Sequence, residues 1–177
     1  MRKSRILMYF LFPILAAGLF SCGDDDDYAK LREKELEKLA KYIRDNNITV
    51  TPTKTGLYYI ETKQGSGDTV KVYDKVHVYY RTWLIDSTLI DSNIDSLGRC
   101  YEPLAFTVVP IGASGSGVVD GLNEGVQYMQ KGTVATLIIP SELAYGSNSG
   151  ATTGIPMFST LLMEVRVDNI FKNTTEN

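Results

Sequence analysis

Apolar and polar positions follow three different rhythms along this chain. Behind Arg2, Lys3 and Arg5, the stretch from Ile6 to Phe20 is apolar and close to the N-terminus. It is too short for a membrane span, and with its basic flank it predicts a signal peptide over residues 1–21. Between Tyr28 and Asn46 the period turns helical. Strong helix formers dominate, Leu36, Leu39, Ala40 and Ile43 recur at i, i+3, i+4 and i+7, and Glu37 stands four residues before Lys41. This amphipathic helix packs on the domain that follows, pairs with a second copy as a homodimer through residues 28–46, or serves as a spacer.

From Gly56 onward the period falls to two. Gly56–Thr62 alternates, Gln64–Asp68 is a turn cluster, and Val70–Ile85 is a longer strand stretch. Polar residues from Asp86 to Glu102 predict a long loop, in which Leu89 and Ile90 could continue the sheet. Leu104–Val109 is the next strand, and Pro110–Gly117 is a glycine-rich connector. One helix interrupts the strands. Asp120 is its expected N-cap, Leu122, Val126 and Met129 its apolar face, and Gly132 its stop after Lys131. Strands are expected again at Thr133–Pro140 and Ser159–Phe171, with a loop from Ser141 to Pro156. The class is α+β, an antiparallel sheet with one short helix on one face, preceded by the amphipathic helix.

Composition narrows the function. The chain has 177 residues, 44% of them apolar, enough for one domain with a real core. Lys plus Arg number 18 against 21 Asp plus Glu, a net charge of −3 with no basic cluster, which argues against nucleic acid as a partner. Two cysteines and one histidine cannot supply the four ligands of a structural zinc site, and no metal is expected. The signal peptide ends in Leu19-Phe20-Ser21-Cys22, which resembles a bacterial lipobox, so Cys22 is the expected lipidation site and first mature residue. Cys100 is then without an intrachain partner. Removing the signal peptide deletes three positive charges and leaves a net charge of −6. Asp24 to Asp27 follow the cysteine as a solvated acidic tether; their position is similar to an acidic signal that sends some lipoproteins to the outer face of the outer membrane.

Catalytic motifs are few. Gly115-Ser116-Gly117 opens a G-x-G-x-x-G whose sixth position is Asp120, a carboxylate that would repel a pyrophosphate. Ser114 lacks the spacing of a nucleophile elbow, and His77 sits in a strand without an orienting carboxylate. Asp86, Asp91 and Asp95 lack the spacing of a calcium loop.

A longer pattern carries more information. Gly121-Leu122-Asn123-Glu124-Gly125-Val126-Gln127-Tyr128-Met129-Gln130-Lys131-Gly132, then Ala135–Pro140, then Leu143-Ala144-Tyr145-Gly146, resembles the signature half of an FKBP-type peptidyl-prolyl cis-trans isomerase. Val76–Tyr80, Ile90-Asp91-Ser92 and Thr160–Val165 stand at the family's other landmarks, and Gly56–Tyr59 before Gly65-Ser66-Gly67 is similar to members with an N-terminal helical extension, which often dimerise through it. The resemblance implies a curved antiparallel half-barrel wrapped around the Asp120–Gln130 helix. The implied domain spans residues 55–171, after a tether at 22–27 and a helix with linker at 28–54, and before a tail at 172–177.

The same resemblance implies a prolyl isomerase without cofactor. Tyr80, Asp91 and Tyr145 would be its catalytic polar groups, and Ile90, Leu104, Phe106, Val118, Val119, Leu122, Ile155 and Met163 would bind substrate. The Tyr145 hydroxyl and the Val119 backbone N–H would hold the ligand's carbonyls. Rotation about an X-Pro bond breaks no covalent bond and meets a barrier of about 18–20 kcal/mol. An apolar cleft with fixed donors suffices to favour the twisted amide. The expected partners are proline-containing segments of envelope or secreted proteins, with the lipid as membrane contact. The expected place is the outer membrane, on its periplasmic face or the cell surface. Ile90, Leu104, Leu122 and Met163 are aliphatic where the family usually has aromatics, the connector Val109–Gly117 is long, and Ser147–Gly154 lacks the usual His. Weak activity is therefore expected, with a catalytically degenerate peptide-binding module as the alternative.

Overall fold

A computed structural model describes residues 24–148 and 154–174. The signal peptide, Cys22 and the last three residues lie outside the described residues, as does 149–153 within the loop expected from Ser141 to Pro156. The elements in chain order are α1 (Asp24–Asp45), β1 (Tyr58–Lys63), β2 (Ser66–Thr69), β3 (Lys75–Leu84), β4 (Leu89–Ser92), β5 (Leu104–Thr107), α2 (Asp120–Val126), β6 (Gln130–Lys131), β7 (Val134–Ile139) and β8 (Leu161–Phe171). Two single 3-10 turns, Ser141–Leu143 and Gly146–Asn148, follow β7.

The main sheet is antiparallel, ordered β1-β7-β8-β3-β4, with β5 sharing the outer edge of β3. β4 takes Arg81 to Trp83 of that edge and β5 takes Lys75 to Val78, so one long strand carries two short ones end to end. Its side chains divide by parity, as a period of two requires. Leu137 and Ile139 of β7 and Leu161, Met163, Val165 and Val167 of β8 join the cluster around Leu122, Val126 and Met129. Ile138 and Leu162 point to the opposite face, where they join Leu39, Tyr42 and Ile43 of α1 together with Tyr58, Ile60 and Trp83. The expected helix thus covers one face of the sheet, and α1 covers part of the other.

α1 begins earlier than the acidic tether expected over residues 22–27 allows, because Asp24–Asp27 already have helical backbone. Acidic residues suit the positive end of a helix dipole. The helix ends at an Asn47 with φ of 53°, after which Ile48 donates to the Ile43 carbonyl at 3.0 Å and packs beside Ile43. The buried face is rotated from the expected one. Leu36 and Ala40 are exposed, whereas Glu35 and Leu39 are buried and Tyr42 and Ile43 half-buried. Lys41 pairs with Asp45 rather than with Glu37. Through Leu39, Tyr42 and Ile43 the helix packs on the domain that follows.

Three further expectations are corrected. Asp120 is the first residue of α2, not its N-cap; Val119 caps it without a side-chain hydrogen bond. The helix stops at Val126 rather than reaching Gln130, because Gln130 and Lys131 are drawn into pairing with Thr69 and Ser66. The expected Gln64–Asp68 turn is therefore partly strand β2, and Gly132, with φ of 84°, turns the chain from β6 into β7.

Close approach between α2 and β7 needs glycine. A Cβ added at Gly121 would stand 3.0 Å from Ile139 Cγ1 and 3.2 Å from Ile139 Cβ, against a stiff β-branched side chain that is fully buried. Gly121→Ala is expected to lower stability by about 1–3 kcal/mol through overpacking, read from denaturant unfolding with an unchanged m-value.

Candidate functional site

The residues singled out above come from four strands, one helix and two loops, and the packing of the sheet on α2 brings the apolar ones together. Phe106 of β5, Leu122 of α2, Ile155 of the loop before β8 and Met163 of β8 are buried in the cluster beneath α2, and Tyr80 of β3, Ile90 of β4, Leu104 of β5, Val118 and Val119 pack half-buried around it. The first group forms a floor and the second a rim. Leu143 and Ala144, which the sequence did not single out, add to the rim immediately before Tyr145.

The polar groups sit at the open side. Tyr80 donates its hydroxyl to Asp91 Oδ2 at 2.6 Å, across the β3–β4 pair, and Asp91 Oδ1 accepts the Ser92 N–H at 2.8 Å. Burial raises the Tyr80 phenol above its ordinary value. The hydrogen bond to Asp91 and its negative charge push the same way, with a smaller contribution from Tyr145. Tyr80 is therefore a fixed, protonated donor already committed to Asp91. Tyr145 is 39% exposed, and among the described residues its hydroxyl has no hydrogen-bond partner. The Val119 carbonyl accepts from the amides of Leu122 and Asn123, while its own N–H bonds nothing among the described residues. Two uncommitted donors thus border an apolar floor.

Side-chain amides hold this arrangement, and sequence reasoning missed them. Asn93 Oδ1 accepts the Tyr80 N–H at 2.7 Å and Asn93 Nδ2 donates to the Val78 carbonyl at 3.1 Å, replacing a missing strand beside β3. Asn123, 2% exposed in α2, accepts from the Val109 N–H and donates to the Val109 carbonyl, both at 3.0 Å. Gln127 adds a bond to the same carbonyl at 3.1 Å. The long glycine-rich connector is thus pinned at its entry, and Ser116 Oγ donates to the Val118 carbonyl near its exit. A polar residue amid the apolar positions of α2 was the available signal for Asn123.

Other candidates are placed elsewhere. His77 is half-buried on β3 with its ring 4.8 Å from that of Phe171. Asp86 accepts from Thr88 N–H, and Asp95 closes a turn by accepting from the amides of Leu97 and Arg99 and from Arg99 Nε. A cavity of about 460 Å³ lies between α1 and residues 156–160, lined among others by Leu31, Lys38 and Phe158, and none of the expected site residues borders it.

Comparison with known proteins gives a consistent picture. The family described as FKBP-type peptidyl-prolyl cis-trans isomerase matches residues 67–168. The FKBP-type 22 kDa peptidyl-prolyl cis-trans isomerase of Escherichia coli K12 is 38% identical over 129 residues, covering 72% of this chain and 57% of that protein. The FKBP-type peptidyl-prolyl cis-trans isomerase FkpA of the same organism is 32% identical over 143 residues, covering 81% and 47%. The crystal structure of FkpA from Escherichia coli superposes with a TM-score of 0.65 at 33% identity, over 83% of this chain and 62% of that one. The chain thus spans about half the length of these two curated relatives.

The electrostatics of the rim give a direct test. Asp91→Asn removes the charge that opposes Tyr80 ionisation but leaves its burial, so the Tyr80 phenol is expected to titrate lower than in the parent while staying above the ordinary tyrosine value of 10.0. Spectrophotometric titration of the tyrosines, parent minus variant, reads this as one phenol moving to lower pH.

Proposed function

Because the chain belongs to the FKBP-type peptidyl-prolyl cis-trans isomerase family, we propose that it is a prolyl isomerase and folding helper whose working site is the cleft bordered by Tyr80, Asp91 and Tyr145. The observation that carries the reading is that two donors beside the apolar floor, the Tyr145 hydroxyl and the Val119 N–H, have no partner among the described residues. A proline ring fits the floor, and the flanking carbonyls take the donors. Twisting the X-Pro amide takes the nitrogen lone pair out of conjugation and reduces the charge separation between nitrogen and carbonyl oxygen, so a dry apolar wall disfavours the twisted form less than it does the planar one. No acid, base or nucleophile is required, and none of the polar groups is arranged as one: Asp91 is occupied by Tyr80 and Ser92.

Four aliphatic residues at the cleft, Ile90, Leu104, Leu122 and Met163, favour a second reading in which the cleft binds peptide with little catalysis. A protease-coupled assay over a panel of X-Pro peptides separates the two. Isomerisation faster than the uncatalysed tens of seconds supports the first, and peptide binding with the uncatalysed rate supports the second. Tyr145→Phe keeps the ring and deletes one neutral hydrogen bond, so a loss of about two- to tenfold in catalysis or affinity is expected with unchanged melting. Leu122→Trp rebuilds an aromatic floor. Tighter binding of a proline peptide is expected, at a stability cost of about 1–3 kcal/mol because Leu122 is already buried.

The proposal places the protein at the bacterial envelope as a lipoprotein acylated at Cys22, with Asp24–Asp27 as an export signal to the surface. The basic n-region, the apolar run and the lipobox-like end support this. Only Gly23 separates Cys22 from α1, so the lipid would hold the domain through a helix and not through a slack tether. A homodimer would have to use the α1 surface left bare, around Leu36 and Ala40. Metabolic labelling with a fatty acid is expected to mark the parent and not Cys22→Ala; equal labelling of both removes the lipoprotein reading.

A further inference from the structure

We propose that Glu35, carried on α1 outside the family-matched segment, is a positioning residue for the proline cleft: its carboxylate fixes the roots of the two chain segments that deliver Tyr145 and Ile155. This rests on the cleft being the working site.

The observations come from the face of the sheet opposite the cleft. Glu35 is 3% exposed, and three groups of the domain donate to it. The Ser141 N–H lies 2.7 Å from Oε1, the Ser141 hydroxyl 2.5 Å from Oε2, and the Thr160 hydroxyl 2.9 Å from Oε1. Arg32, one turn earlier, forms an ion pair with the same carboxylate and reaches Glu142 at 2.8 Å with its other arm. Burial opposes the charge on Glu35, yet these bonds from Ser141, Thr160 and Arg32 together hold it below the ordinary glutamate range. A buried carboxylate so well satisfied is costly to disturb and geometrically exacting.

Both recipients lead to the cleft. Ser141 opens the first 3-10 turn; its carbonyl accepts the Ala144 N–H at 3.0 Å, Leu143 and Ala144 pack on the cluster beneath α2, and Tyr145 follows. Thr160 closes the segment that carries the buried Ile155 and enters β8. A cross-tie joins the two segments, the Phe158 N–H donating to the Gly146 carbonyl at 3.0 Å. Phe158 itself has a φ of 52°, a conformation that a bulky residue holds only when its surroundings fix it. One carboxylate on the back of the sheet thus determines where a donor and a wall residue stand on the front.

A merely structural Glu35 would anchor α1 and do no more, and Leu39 supplies the control. Leu39 packs the same helix on Ile138 and Leu162 without being bonded to either segment. In the full chain, Glu35→Gln, Glu35→Ala and Leu39→Ala are compared with the parent in three measurements: melting, hydrogen exchange of residues 141–146, and titration with a proline-containing peptide alongside the isomerisation assay. The Glu35 variants are expected to weaken peptide binding roughly 2- to 30-fold, the range for residues that act through a packed network. They are also expected to speed exchange at Ser141 and Ala144. Leu39→Ala is expected to lower the melting temperature at least as far and leave the peptide affinity within about twofold of the parent. Where Glu35→Ala fails to fold, Glu35→Gln decides, because it keeps the shape while losing the charge and one of the two acceptor oxygens that Ser141 and Thr160 share. A parent that binds and isomerises, with Glu35 variants matching Leu39→Ala in affinity and exchange, overturns the positioning role alone. A parent that neither binds nor isomerises proline peptides overturns the functional reading and the positioning role with it.

Discussion

Strand β8 is the constraint on which the rest of the fold depends. It is hydrogen-bonded along one edge to β7 and along the other to nearly the whole of β3, and both of its faces are covered. Because side chains alternate at a period of two, a register slip of one residue would turn Met163 and Val165 outward and bring Glu164 and Arg166 into the core. Fixing β8 therefore fixes the position of β3, of the two short strands on its far edge, and of the cleft that they border. α2 is held close against β7 at Gly121, so the helix that contributes Leu122 to the floor and the sheet beneath it share one reference.

The cleft is chemically simple and mechanically well supported. Its polar inventory is a phenol committed to a carboxylate, a second phenol with no partner among the described residues, and one similarly free amide. What gives these groups a fixed geometry lies behind them. Asn93 replaces missing strand contacts beside Tyr80, Asn123 and Gln127 grip Val109 at the entry to the connector, and Glu35 ties down both segments around Tyr145 and Ile155. A site that only has to discriminate a twisted amide from a planar one gains from rigid walls more than from reactive groups.

Much of this could be read in the sequence, and the limits are physical. The central strands of the main sheet were legible because both of their faces are covered and they write their burial as unbroken apolar runs, as Leu137, Ile138 and Ile139 or Leu161, Leu162 and Met163 do. The short pair β2–β6 was not, since Ser66–Thr69 is exposed throughout and has the composition of a turn. The face of α1 was misread because a periodic search weighs Leu36 and Ala40 above a glutamate. The donors that make Glu35 a buried residue stand 106 and 125 positions away, beyond any local pattern. The apolar members of the cleft were reached through family resemblance, and the structure gathers them in one cluster. The asparagines that support them carry no local signature, because an amide that imitates backbone pairing is recognised only by what lies opposite it.

The place of β8 in the chain order has a consequence for how the protein comes to be folded. The strand at the heart of the sheet, residues 161–171, is the last of the elements described, while β1 and β3 that depend on it lie far upstream. A chain that emerges N-terminus first, from a ribosome or through a membrane pore, can form α1 and local turns early. It cannot join β7 to β3 until its final strand arrives. Such a polypeptide leaves its main sheet unformed and threadable until residues 161–171 have emerged, and then closes the pairings of β7 and β3 with β8 in one late step.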